Sequence, residues 1–174
     1  MLPKIVTLDK CQRAHAEWVG ERRALDAVMN GRREIRGASD KDNVLQHIEG
    51  AYAELACSLF FNLKWVGYVE DPYGLPDIGD WTEVRSTSHC AGGLIIQAWK
   101  DDPRRDFVLV AHLSPRQQRI VGWINGSVAM SNQAYAAAAK EKFLKYGESR
   151  YVNRFLVPQR DLRKEEQVPE SRRD

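Results

Sequence analysis

The sequence predicts an α/β (α+β) domain in which helices flank a mixed central β-sheet, and three features predict it. Two stretches with apolar residues at helical spacing occupy the first third of the chain. Four or five short runs of strand-favouring residues, separated by Gly, Pro, Asn and Asp turns, fill the middle. A further helix and a last strand complete the order, which suits helices layered on a sheet.

The chain has 174 residues, enough for one domain with a real core. Hydrophobic residues make up 43% and charged residues 29%, which places it in the globular class and outside the disordered one. Lys and Arg number 26 against 24 Asp and Glu, for a net charge of +2, so bulk charge does not argue for nucleic acid. Such a partner needs a local basic surface. Cys11, Cys57 and Cys90 are far apart and form no Cys-x-x-Cys pair, which argues against a zinc site or a disulfide framework and fits a reducing cytosol. No segment reads as a signal peptide or a membrane span, so a cytoplasmic location without membrane association is expected.

Taken in order, residues 9–29 read as a helix. Ala14, Trp18, Leu25 and Val28 recur at helical spacing, and Asn30-Gly31 is a stop signal. Residues 31–37 form a basic connector. Residues 1–38 together are read as an accessory helix and connector, residues 39–158 as the α/β core, and residues 159–174 as a charged, loose tail. Ser39-Asp40-Lys41-Asp42 has capping-box form and opens a long helix over residues 43–64. Val44, Ile48, Ala51, Leu55 and Leu59 form its apolar stripe, widened by Leu45, Tyr52, Ala56 and Leu63. His47, Gly50, Glu54 and Ser58 line the margin. A carboxylate as close to the buried boundary as Glu54 calls for a partner, and Gly50 in mid-helix suggests close packing or a ligand. Strands are expected over residues 81–87, 94–99, 107–111, 120–124 and 151–157. A helix capped by Ser131 is expected over residues 131–146.

The stretch that carries chemistry is Pro76-Asp77-Ile78-Gly79-Asp80-Trp81-Thr82-Glu83-Val84-Arg85-Ser86. It begins as a turn and becomes a strand. Side chains at i and i+2 share a strand face, so Glu83 and Arg85 point one way and Val84 the other. Asp77 and Asp80 enter from the turn. Carboxylates beside a guanidinium suit a divalent cation with a phosphate next to it. Taken alone, Glu-x-Arg on a strand also reads as a surface ion pair contributing about 0–1 kcal/mol.

A helix bearing Glu54, then Pro76-Asp77, then Glu83-Val84-Arg85, then a helix and a strand resembles the PD-(D/E)XK nuclease superfamily over roughly residues 47–158. The runs Glu83-Val84-Arg85-Ser86-Thr87, Gly122-Trp123-Ile124 and Phe155-Leu156-Val157-Pro158 are also similar to small phage-encoded proteins of this type. The resemblance implies a restriction-endonuclease-like core and Mg²⁺- or Mn²⁺-dependent hydrolysis of DNA in phage-related DNA processing. Asp77, Glu83 and Arg85 are then catalytic. Glu54, Asp77, Asp80 and Glu83 are the candidate metal ligands, and Arg85, His89, Lys142 and Lys145 meet the nucleic acid. Arginine stands here where the family has lysine, and it cannot act as a general base. The short Asp-to-Glu spacing leaves Asp80 as a rival to Asp77. A DNA-binding module without turnover and an assembly protein are the alternatives, and a homodimer is open.

Overall fold

The computed structural model describes residues 4–31, 40–69, 75–89, 91–98, 101–144 and 154–164. Its centre is a four-stranded mixed sheet in the order β1-β5-β4-β2. β4 (Asp106–Ser114) and β5 (Gln117–Asn125) form an antiparallel hairpin across Pro115-Arg116. β2 (Thr82–Thr87) lies parallel to β4, with Glu83 beside Phe107 and Arg85 beside Leu109. β1 (Lys4–Thr7) pairs antiparallel with β5 at the other edge. No strand was expected at the N-terminus, although Lys-Ile-Val-Thr is a short β-branched run. The apolar run at residues 107–111 is central, as expected for a strand buried on both faces.

The two faces of this sheet carry different layers. On one side Val84, Val108, Val110 and Trp123 pack against Ala53 and Cys57 of α2 (Asp40–Phe61). On the other, Phe107, Leu109, Val121 and Ile124 pack against Leu94, Ile96 and Val157. Those last three residues belong to a second, two-stranded sheet of β3 (Leu94–Gln97) and β6 (Arg154–Val157). The expected strands near residues 94 and 155 therefore exist, but they form their own layer and do not extend the central sheet. Trp99 and residues 151–153, placed in strands by the sequence, lie outside the described residues.

α1 (Lys10–Met29) lies over α2, capped by Asp9 in a reciprocal box with Gln12. Its buried face is Ala16, Val19, Gly20 and Ala24, and the stripe anticipated from spacing points outward, with Trp18 51% and Val28 64% exposed. Small residues face α2 because the helices approach closely. A Cβ added at Gly20 would stand 2.5 Å from the Ile48 Cα. At Gly50, where close packing or a ligand was the expectation, nothing lies within 4 Å of such an atom, so close packing is not its reason. α2 is buried all round from Ala51 to Ser58 because it is sandwiched between α1 and the sheet, while Leu45 and Leu59 of its anticipated stripe are exposed.

After β5, Asn125 caps a short helix, α3 (Gly126–Met130), which ends at Ser131. The longer α4 (Gln133–Leu144) follows, with the Asn132 side chain accepting from the Ala134 N–H. The helix expected from Ser131 is α4, which starts two residues later with Asn132 supplying the capping oxygen, and α3 before it was not anticipated. Residues 159–164, read as part of a loose tail, pack on the sheet. Leu162 is buried, Arg163 bridges to Trp123 and the Lys164 ammonium donates to the Val121 carbonyl. No helix among the described residues is long and apolar enough to cross a membrane.

Candidate active site

β2 is an edge strand, and the segment before it folds back along its open side. Gly79, at φ +54°, turns the chain so that Ile78 and Thr82 exchange backbone hydrogen bonds. Glycine takes this left-handed conformation without strain. The turn is tied to the end of α2 by the Gly79 N–H on the Lys64 carbonyl and by a bridge between Trp65 and Ile78. Asp77 is thereby set against the strand, where its Oδ2 accepts from the Val84 N–H at 2.7 Å. Asp80 is exposed in the turn. Of the two rival aspartates, Asp77 is the one that joins Glu83.

Glu83 and Arg85 do share a face, as the strand period requires. The Arg85 Nη1 donates to Glu83 Oε2 and to the Val84 carbonyl, each at 3.2 Å, and stands 3.8 Å from Asp77 Oδ2. Three oxygens therefore converge on one guanidinium nitrogen. The Arg85 Nη2 is held at 2.6 Å by Asp101, whose side chain is almost wholly buried and whose other oxygen accepts from the Gln97 N–H. On the far side of Glu83, Oε1 accepts from Arg105, which also donates to the Leu75 carbonyl.

Asp101 and Arg105 escaped sequence reasoning. Asp101-Asp102-Pro103 reads as a turn, and it is one, but the turn delivers Asp101 to Arg85 and Arg105 to Glu83. The one available signal was the density of charge in residues 101–106, just before an apolar strand.

Glu54 comes from α2, on the Val84 side of the sheet. Both its oxygens are engaged. Arg23 of α1 meets them with its fork at 2.6 and 2.8 Å, and the Trp65 indole donates to Oε2 at 2.9 Å. Arg23 also donates to the Tyr68 carbonyl. The expected partner of Glu54 is thus an arginine from the first helix, and the pair fastens α1, α2 and residues 65–68 together. Glu54 does not join Asp77 and Glu83 in a three-carboxylate set: among the described residues no group of three or more His, Cys, Asp or Glu is arranged to hold a metal ion.

Electrostatics couple these groups. Burial and the charge of Glu54 push the Asp77 carboxyl up to about 6, against the opposing pull of Arg85, the Val84 N–H and Arg23. Burial and the charge of Asp77 push Glu83 up to about 7, although Arg85 and Arg105 act the other way. Burial pulls Arg85 down, but Asp101, Asp77 and Glu83 outweigh it and raise its pKa further. Four carboxylates (Glu54, Asp77, Glu83, Asp101) face three guanidiniums (Arg23, Arg85, Arg105) in this region. Fully ionised, these seven groups carry one excess negative charge, which a single proton neutralises.

The remaining candidates lie apart. β2 ends at Thr87, and His89 is exposed in the bend beyond it, its N–H on the Thr87 hydroxyl. His89 therefore lies beyond the strand and off the face that Glu83 and Arg85 share. Lys142 sits in the last turn of α4, with its ammonium 5.9 Å from the Phe143 ring, in the layer of β3 and β6. Lys145 lies outside the described residues.

Comparison of the chain with protein-family models, with curated proteins and with solved structures finds no match.

Proposed function

We propose that the protein is a Mg²⁺- or Mn²⁺-dependent DNA nuclease of PD-(D/E)XK type, acting in the cytoplasm in phage-related DNA processing. The observation that carries this reading is the bond that the Val84 N–H donates to Asp77, which sets a half-buried and a buried carboxylate and a carbonyl around one point on the strand of Glu83 and Arg85. That donor set fits a hard divalent cation, which takes one or two carboxylates and leaves its other positions to water and phosphate. The excess negative charge favours a cation as well. Asp77, Glu83 and the Val84 carbonyl would hold it, and when bound it supplies an activated water and offsets charge developing on the phosphate.

The chain's own residues supply the rest. Arg85 is a fixed charge with a planar fork, suited to a phosphate oxygen and unable to take a proton. Arg105 holds Glu83 by its second oxygen and so orients the first. Glu54, locked by Arg23 and Trp65, is a positioning residue that anchors the turn behind Asp77. His89 and Lys142, which lie apart from the acids, are assigned with Lys145 to the DNA backbone.

A second reading has its own support. The Arg85 guanidinium sits where the three oxygens converge, as an internal cation would, and this favours a DNA-binding module without turnover. Incubation of plasmid and single-stranded DNA with Mg²⁺ or Mn²⁺ separates the two. The nuclease reading expects cleavage by the parent and none above background by Glu83→Gln. Salt-sensitive binding without cleavage selects the module. A parent that neither binds nor cuts DNA overturns both.

A further inference from the structure

We infer that Arg85 and a divalent cation compete for the same three oxygens, and that Asp101 is the positioning residue that keeps the displaced guanidinium at the site. The inference rests on the reading of Asp77 and Glu83 as cation ligands. It assigns to Arg85 a second role, as the resident counter-ion of the pocket, and to Asp101 a role that its place in a turn does not suggest.

The geometry is asymmetric in a useful way. One nitrogen of the fork, Nη1, lies among Glu83 Oε2, the Val84 carbonyl and Asp77 Oδ2 at 3.2, 3.2 and 3.8 Å. These distances are long for charge-assisted bonds. The other nitrogen, Nη2, makes a short bond of 2.6 Å to Asp101 Oδ1. Asp101 is itself immobilised, because its Oδ2 accepts from the Gln97 N–H at 2.7 Å and its own N–H donates to the Gln97 carbonyl. The guanidinium also lies over the Phe107 ring at 5.7 Å. The fork is thus gripped firmly at one end and loosely at the end that fills the acid pocket. An ion entering the pocket releases the loose end, while Asp101 keeps the guanidinium beside it, where a phosphate oxygen is the natural replacement partner.

This arrangement also accounts for arginine at the position. Lysine has one nitrogen and cannot span Asp101 and the pocket together. The guanidinium neutralises the clustered carboxylates while no ion is bound, and it lowers the pocket's affinity for one. Metal affinity and DNA affinity therefore respond to Arg85 with opposite signs, whereas a purely structural ion pair predicts loss of both.

The test is Mn²⁺ binding to the intact protein without DNA, read by electron paramagnetic resonance of the free ion and by calorimetry. Three proteins are compared: the parent, Arg85→Lys, and the charge-neutral double variant Arg85→Met/Asp101→Leu, which removes both members of the pair and leaves no buried charge behind from it. Asp101→Asn is added for DNA affinity in Ca²⁺. Competition predicts that Mn²⁺ binds the double variant about tenfold or more tightly than the parent, with Arg85→Lys between them. It also predicts that Asp101→Asn weakens DNA binding, and DNA affinity unchanged in Asp101→Asn overturns the role given to Asp101. Binding by the variants with none by the parent supports the competition equally. Variant affinities equal to or weaker than a measurable parent affinity overturn the inference and leave the metal-site reading standing. No Mn²⁺ or Mg²⁺ binding by any of the proteins overturns both.

Discussion

Two neighbouring acids with raised pKa values, Asp77 half-buried and Glu83 buried, make stability fall as pH rises, and this is open to direct measurement. In the folded protein Asp77 sits at about 6 and Glu83 at about 7, against ordinary values of 3.8 and 4.5. Between the ordinary and the raised value the folded state holds protons that the unfolded chain has released. Stability therefore declines as pH rises from about 4 to about 7 and levels off above that. A shift of two units or slightly more corresponds to about 3 kcal/mol for one group. The two acids repel each other, so their shifts are not independent, and about 3 kcal/mol is the expected fall for the pair as an order of magnitude. The assay is urea denaturation with chelator present, at intervals from pH 4.5 to 8. The parent is compared with Asp77→Asn/Glu83→Gln, in which the decline flattens. Asp102, held at about 2 by its bonds to Arg104, contributes with the opposite sign and only below about pH 4, outside this window. Saturating Mg²⁺ opposes the decline, because cation and proton compete for the same carboxylates. Stability that is flat or rising from pH 5 to 7 in chelator refutes the account in which burial and mutual repulsion of the two acids outweigh their arginine partners.

Other expectations concern the scaffold and the site. Arg23→Met leaves Glu54 buried with the Trp65 indole but without its bidentate partner, so stability falls by about 3–5 kcal/mol and Tm by roughly 6–20 °C on thermal unfolding. Gly20→Ala drives a methyl group against the Ile48 backbone and destabilises by about 1–3 kcal/mol, whereas Gly50→Ala meets nothing and stabilises by about 0.5–1 kcal/mol. Equal effects at the two glycines in denaturant titrations contradict the close α1–α2 contact at Gly20. Mg²⁺ or Mn²⁺ raises the Tm of the parent, and Glu83→Gln removes that increase; a response that survives the substitution moves the ion to other ligands.

The sequence by itself determined most of the local structure. Period and punctuation located α1, α2, β2, β4 and β5, because helix and strand repeats and Asp, Asn and Gly caps act over a few residues. The shared face of Glu83 and Arg85 followed from the two-residue repeat alone. Only the tertiary structure decided which faces are covered. On α1 the stripe of large residues is exposed and the small ones are buried, because contact across Gly20 is too close for Trp18 or Leu25. The β3–β6 layer and the N-terminal strand were equally hidden, since pairing partners lie far away in sequence. The site divides along the same line. Asp77, Glu83 and Arg85 sit within nine residues, so a local motif carries them. Asp101, Arg105 and Arg23 arrive from a turn and from the first helix, and nothing in their own neighbourhoods announces a partner. Their charges acquire meaning only after folding removes water and leaves each buried carboxylate with a specific guanidinium.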